Sequence, residues 1–339
     1  MKKIFFSLLV FGCVVAANAQ SDVMTATLMH DGVVSVFSGA NAFVQAHDAA
    51  TDGDVISLSS GSFTSLTITK SVTVYGAGFE KDQATATDVT QLRSDLIIGA
   101  ADQTVSNVHI EGLYINGGIM LNNSSARVEG LFIGKCFLLK GMTFNNGATA
   151  KNMLVQDCVM DAGITANNTS LVENAYFGNC YIKGNLKDFP AGSSILVNHC
   201  IVTGVAGPYT WKNSIFTHYW NLYNYGAFDQ TTGATVYNCV IRMVFSSASA
   251  TNNSFVDCYY RVGIRLDQIF SDVTGTDYNY SPSRTFELVN PEWLGDDGTE
   301  VGIRGGDGWS KAPAIPVVKS LSLDVEGNEL KVTYEAEVR

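Results

Sequence analysis

Three sets of side chains have the types and spacing to do chemistry. The first is a row at one repeating position, Lys135, Asp157, Asn179 and His199, separated by 22, 22 and 20 residues. Brought side by side, Lys135, Asp157 and His199 are the catalytic candidates, an acid/base set acting on a sugar chain laid across them. The same residue types also suit a column of turns selected for backbone conformation. The second set is the aromatic and amide-rich stretch from Tyr209 to Phe228, where Trp211, Tyr219, Trp220, Tyr223 and Tyr225 are the ligand-binding candidates. Ring faces stack on the CH faces of sugars while amides such as Asn221 and Asn224 meet hydroxyls. The alternative is that these rings cover a flank or fill the core. The third set is six cysteines, Cys136, Cys158, Cys180, Cys200, Cys239 and Cys258.

Several chemistries are excluded. No two cysteines have the C-x-x-C spacing and the pair His199-Cys200 stands alone, so no metal and no cofactor is expected. Gly76-x-Gly78 lacks a third glycine and a following helix, and no zinc-protease, nucleophile-elbow or EF-hand pattern occurs. The net charge is −11, and losing Lys2 and Lys3 with a leader takes it to −13. With no run of basic residues, nucleic acid is not a partner, and a polyanionic substrate is disfavoured.

What must position these residues is a repeat. The cysteines are spaced by 22, 22, 20, 39 and 19 residues, and Ser214 fills the gap that the 39 leaves. Each unit reads apolar-x-apolar-x-x-Cys, as in Leu131-x-Ile133-x-x-Cys136, Met153-x-Val155-x-x-Cys158 and Ile195-x-Val197-x-x-Cys200. Val108-x-Ile110-x-x-Leu113 is one unit earlier, and Ala234-x-Val236-x-x-Cys239 and Asn253-x-Phe255-x-x-Cys258 come later. A second ladder, Asn122-Asn123, Asn145-Asn146 and Asn167-Asn168, keeps step with it. Period-two alternation predicts strands, and about 22 residues hold three short ones with their turns. Stacked units satisfy one another's backbone groups and turn equal positions into columns. Neighbouring cysteines then lie about 4.8 Å apart with parallel side-chain vectors, which suits a buried column of free thiols rather than disulfides.

Alternation slips just before each cysteine. Two core-type residues three apart cannot share a face of an unbent strand, so a corner must lie between them. The residue before the cysteine slot is Gly112, Lys135, Asp157, Asn179, His199, Asn213, Asn238 or Asp257. Gly, Asn and Asp tolerate a positive φ, which predicts a left-handed corner, with Lys135 and His199 as departures.

Ahead of the ladder, Thr51-Asp52-Gly53-Asp54-Val55-Ile56-Ser57-Leu58 and Leu66-Thr67-Ile68-Thr69-Lys70-Ser71-Val72-Thr73-Val74-Tyr75-Gly76 resemble the opening rungs of the pectin-lyase-like β-helix superfamily. The resemblance implies an all-β chain wound as a single-stranded right-handed parallel β-helix, the hand also favoured for parallel crossovers. The clustered Asp, His, Gln and Arg motifs of the polygalacturonase and pectin-methylesterase types are not found. Residues 1–19 read as a signal peptide, with Lys2-Lys3, an apolar run from Ile4 to Val15 too short to span a membrane, and Ala17-Asn18-Ala19 for cleavage. The apolar residues on both sides of Cys13 argue against lipid anchoring. Residues 20–290 are expected to form the β-helix, with a short helix at Ala40 to Ala50 plugging its N-terminal end. Residues 291–339 are expected to form a C-terminal cap with a hairpin, Leu321 to Val325 and Leu330 to Tyr334, around Gly327-Asn328.

The resulting expectation is an exported protein, periplasmic or extracellular and not membrane-spanning, that binds or presents to a polysaccharide or envelope glycan. The alternatives are a polysaccharide lyase or glycoside hydrolase with an unfamiliar site, and a structural or adhesive solenoid. The sequence fixes no oligomeric state.

Overall fold

The computed structural model describes residues 24–82, 87–121, 125–167, 169–220, 225–229, 231–242, 252–260, 264–273, 278–313, 316–326 and 329–338. The expected leader lies outside them. Among the described residues no helix is long and apolar enough to cross a membrane.

The chain is a parallel β-solenoid. Each turn contributes a strand to a first sheet, passes a sharp corner and adds a strand to a second sheet, and the turns up to Ile164–Ala166 also add one to a five-stranded third sheet. Stacking is in register: Ile110 pairs with Ile133, then Val155, Phe177, Val197, Trp211, Val236 and Phe255 follow in one inward column. The predicted corner is left-handed at every position. Gly112, Lys135, Asp157, Asn179, His199, Asn213, Asn238 and Asp257 have φ of 76°, 49°, 56°, 48°, 50°, 48°, 48° and 51°.

Just past this corner the cysteines form the expected interior column, all free. Each thiol turns back to the carbonyl two residues earlier, Cys136 Sγ to Gly134 O at 3.1 Å and Cys180 Sγ to Gly178 O at 3.1 Å. Ser214 does the same, donating to Lys212 O at 2.6 Å, and its own N–H donates to Cys239 Sγ at 3.4 Å. A small side chain with one donor is what the corner needs, which is why serine can stand in for cysteine. Burial pushes the Cys136, Cys158, Cys180 and Cys239 thiols well up, so they stay protonated and inert.

The N-terminal end is closed by helix α1 (Ala42–Ala49), close to the predicted bounds, with Phe43, Ala46 and His47 buried against the first turn. Lys70 Nζ donates to the carbonyls of His47, Asp48 and Ala50, capping the helix C-terminus with a cation. Sequence reasoning overlooked a hairpin before it, β1 (Thr25–His30) and β2 (Val33–Ser38). Its turn is Asp31-Gly32, both at positive φ, and Asp-Gly between alternating apolar residues is the signal that would have found it. β1 pairs antiparallel with β3 (Val55–Leu58), so β2 is the terminal strand of the first sheet.

At the other end the last coil strands are Ser254–Val256 and Tyr259–Tyr260, short of the expected boundary at 290. Residues 264–273 and 278–313 instead run back along the solenoid as an irregular strap. They bury the outward side of the second sheet, where Val159, Tyr181, Ile201, Ile215 and Val240 pack against Phe270, Phe286, Val301 and Ile303. Each such side chain contributes about 1.5–3 kcal/mol relative to exposure. The final hairpin, Pro316–Glu326 with Glu329–Val338, is longer than predicted, and among the described residues its strands pair only with each other.

Candidate functional site

The corner column is brought together as the spacing required, but its side chains hold the strap. Asn179 Nδ2 donates to Ile303 O at 3.0 Å and Gly305 O at 2.8 Å. His199 Nε2 lies 2.9 Å from Asp297 Oδ2, and Asn213 Nδ2 donates to Asp296 Oδ1 at 2.8 Å. Asp157 is 5% exposed, accepts the Ser310 N–H, and leaves Oδ1 without a hydrogen-bond partner among the described residues. Lys135 Nζ is 3.2 Å from the buried Glu111 carboxylate, whose other oxygen is 3.0 Å from His109 Nε2. Lys135, Asp157 and His199 therefore stand in one column, but Lys135 pairs with Glu111 while Asp157 and His199 face the chain's own C-terminal segment, which fills the space a sugar would need above those two. Gly305 lies against the His199 imidazole, where a Cβ would collide with Nδ1 and with Glu300 O. Gly305→Ala is expected to cost about 1–3 kcal/mol through that overlap. Hydrogen exchange should then quicken across 295–313 while the amides of Phe132 to Gly134 in the coil stay protected; unchanged exchange in the strap would refute the packing role.

The aromatic stretch separates into unlike parts. Trp211 is a correction to the ligand-binding expectation: it is fully buried in the inward column, with its indole N–H donating to Gly207 O at 3.0 Å. Phe228 joins it in the core. Tyr219–Trp220 and Tyr225–Gly226 form a short antiparallel pair beyond the second-sheet strand Ile215–Phe216. The side chains of Tyr219, Trp220 and Tyr225, and all of Tyr223, lie outside the described residues.

A different surface has the character of a binding site, the outward face of the first sheet. Between the inward residues of each unit sits an outward one, and register stacks Tyr176, Leu196, Thr210 and Thr235 in a single column. That column floors a groove of about 550 Å³ crossing these four strands. Asn174, Ser193 and Ser194 flank it on one side, Pro208 and Tyr209 on another. Tyr176 leans over Gly178, and Tyr209 over Gly207, where a Cβ would strike the ring; glycine two residues away lets each tyrosine lie along the chain. Tyr176 Oη accepts from Asn198 Nδ2 at 3.2 Å and keeps its proton to donate. Burial pushes the Tyr209 phenol up to about 12, and its oxygen accepts the Phe189 N–H at 3.2 Å. Asn174, at φ 53°, is fixed by Asn152 at 3.1 Å and by a bond from its own N–H to Ser194 Oγ at 2.7 Å.

None of the residues lining this groove is charged, in a chain of net charge −11. It offers hydroxyls, an amide and apolar surface, and no carboxylate pair for general acid/base work. A smaller cavity of about 290 Å³ is lined by Arg127, Glu129, Lys151 and Glu173, whose opposite charges partly pair, Lys151 with Glu173 at 3.9 Å. The groove was legible in principle, since its floor is the x of each apolar-x-apolar unit. Compared with known proteins, the chain matches no family model, no curated protein and no solved structure.

Proposed function

We propose that this is an exported, non-catalytic solenoid of the right-handed pectin-lyase-like kind that binds an uncharged carbohydrate chain along the outward groove of its first sheet. The observation that carries the reading is the groove's lining: tyrosine, leucine, serine, threonine and asparagine, with no ionised group. Sugars are bound by apolar contact to CH faces plus neutral donors and acceptors, and an uncharged ligand escapes the repulsion of an acidic chain. The groove crosses four stacked strands, a length of about 14 Å at ~4.8 Å per rung, enough for a short run of sugar units. The leader-like residues 1–19 support export to the periplasm or beyond, where glycans are the abundant polymer surface. Bond cleavage has no comparable support, because Asp157 and His199 are engaged by the strap and Lys135 by Glu111.

The test is a panel of neutral and acidic polysaccharides followed by calorimetry on any that bind. Tyr176→Ala is expected to weaken binding at least about tenfold, with the melting temperature little changed because the ring is only partly buried. Absence of binding to every glycan, or a Tyr176→Ala protein that binds as tightly as the parent, would sink the proposal.

A further inference from the structure

The end of the first sheet carries a second surface that glycan binding does not use. Among the described residues, β2 hydrogen-bonds to β1 on one side and to no strand on the other. Its side chains are unusually apolar for such a position, with Val33, Val34 and Val36 exposed at 66%, 58% and 62% and Met29 of β1 at 48%. These are four of the seven large hydrophobic residues exposed among those described, gathered on one hairpin. Proteins guard a free sheet edge with lysine, proline, a bulge or a covering loop. From Val33 to Ser38 there is no charge and no proline, and the pairing with β1 runs unbroken through six residues with no bulge.

We propose that β2 pairs antiparallel with β2 of a second copy, joining two solenoids end to end through one continuous sheet. A row of unpaired N–H and C=O groups is complementary to another extended strand, which sets the class of partner. Charge favours a second copy. The molecule is acidic overall, and its uncharged N-terminal edge is where two copies approach with least repulsion. A two-fold axis through Ser35 sets Val34 opposite Val36 and Val33 opposite Phe37. It also sends the two Asp31 turns to opposite ends of the pair, so like charges do not meet. Such a contact is closed, giving a dimer and not a filament. With a single six-residue strand from each copy, the interface is small and its affinity lies in the micromolar range.

Sedimentation velocity of the full mature chain, from roughly 1 to 200 μM, reads this directly. The expected result is a concentration-dependent dimer, with slower hydrogen exchange at the β2 amides as concentration rises. In the double variant Val34→Lys/Val36→Lys, dimerisation should weaken at least about tenfold, since charges face each other across the axis, while the melting temperature holds because both side chains are exposed. A chain that stays monomeric throughout, a dimer that persists in the double variant, or protection at β2 that ignores concentration would each overturn the proposal.

Discussion

Trp211→Ala is expected to destabilise the protein by about 3–5 kcal/mol, the range for removing a large buried ring from a core that cannot collapse around the hole. Trp211 lies between Val197 and Val236 in the inward column, and its ring meets Phe216 at 5.2 Å and Phe228 at 6.1 Å, both edge-on. Neighbours in successive rungs are held by the backbone ladder at fixed spacing, so they cannot close in on the vacancy. The indole N–H donates to Gly207 O, a buried hydrogen bond that the variant also loses. Guanidinium unfolding followed by circular dichroism measures the loss, and Trp211→Phe should recover much of it. A ligand-binding tryptophan would behave in the opposite way, with binding lost and stability kept. If Trp211→Ala unfolds at the parental midpoint, the inward assignment is wrong.

That residue shows how far the sequence can be read. Trp211-x-x-Ser214 obeys the same rule as Ile133-x-x-Cys136, so the repeat itself assigns Trp211 to the interior. Its aromatic neighbours drew it towards the ligand-binding set, although the period had already fixed its direction. The inward columns, the left-handed corners and the thiol ladder follow from position within the unit, because stacking converts spacing into contact. The strap was not legible, because residues 264–313 have no period and their partners are more than 80 residues away, as with Asn213 and Asp296. A hint of it was present. After each cysteine slot come two apolar residues, Val159-Met160, Ile201-Val202, Ile215-Phe216 and Val240-Ile241. In a strand one of each pair must face outward, and a sheet apolar on both faces needs a cover. The groove was missed for the complementary reason, since outward positions carry no periodic constraint and their identities alone decide what they bind.

The strap also turns one acid of the corner column into a measurable quantity. Burial raises the Asp157 carboxyl from 3.8 to about 6, against the acceptance of the Ser310 N–H and the attraction of Lys135; Glu111 and Asp307 push it in the same direction as burial. Between those two pH values the folded chain holds a proton that the unfolded chain has released, so stability falls as pH rises through this window. Above pH 6 the full cost of the buried carboxylate remains, about 1–3 kcal/mol. Asp157→Asn removes it. The amide oxygen still accepts from Ser310, and asparagine suits the left-handed corner, as Asn179, Asn213 and Asn238 show at φ of 48° each. The variant should therefore be more stable than the parent at pH 7.5 by about 1–3 kcal/mol and nearly equal to it at pH 4, as denaturant midpoints at the two pH values would show. A catalytic acid in an open cleft has no reason to give that pattern. If Asp157→Asn is less stable at pH 7.5, the carboxylate is instead held by its attraction to Lys135, and the corner is an ion-pair site whose charge the fold requires.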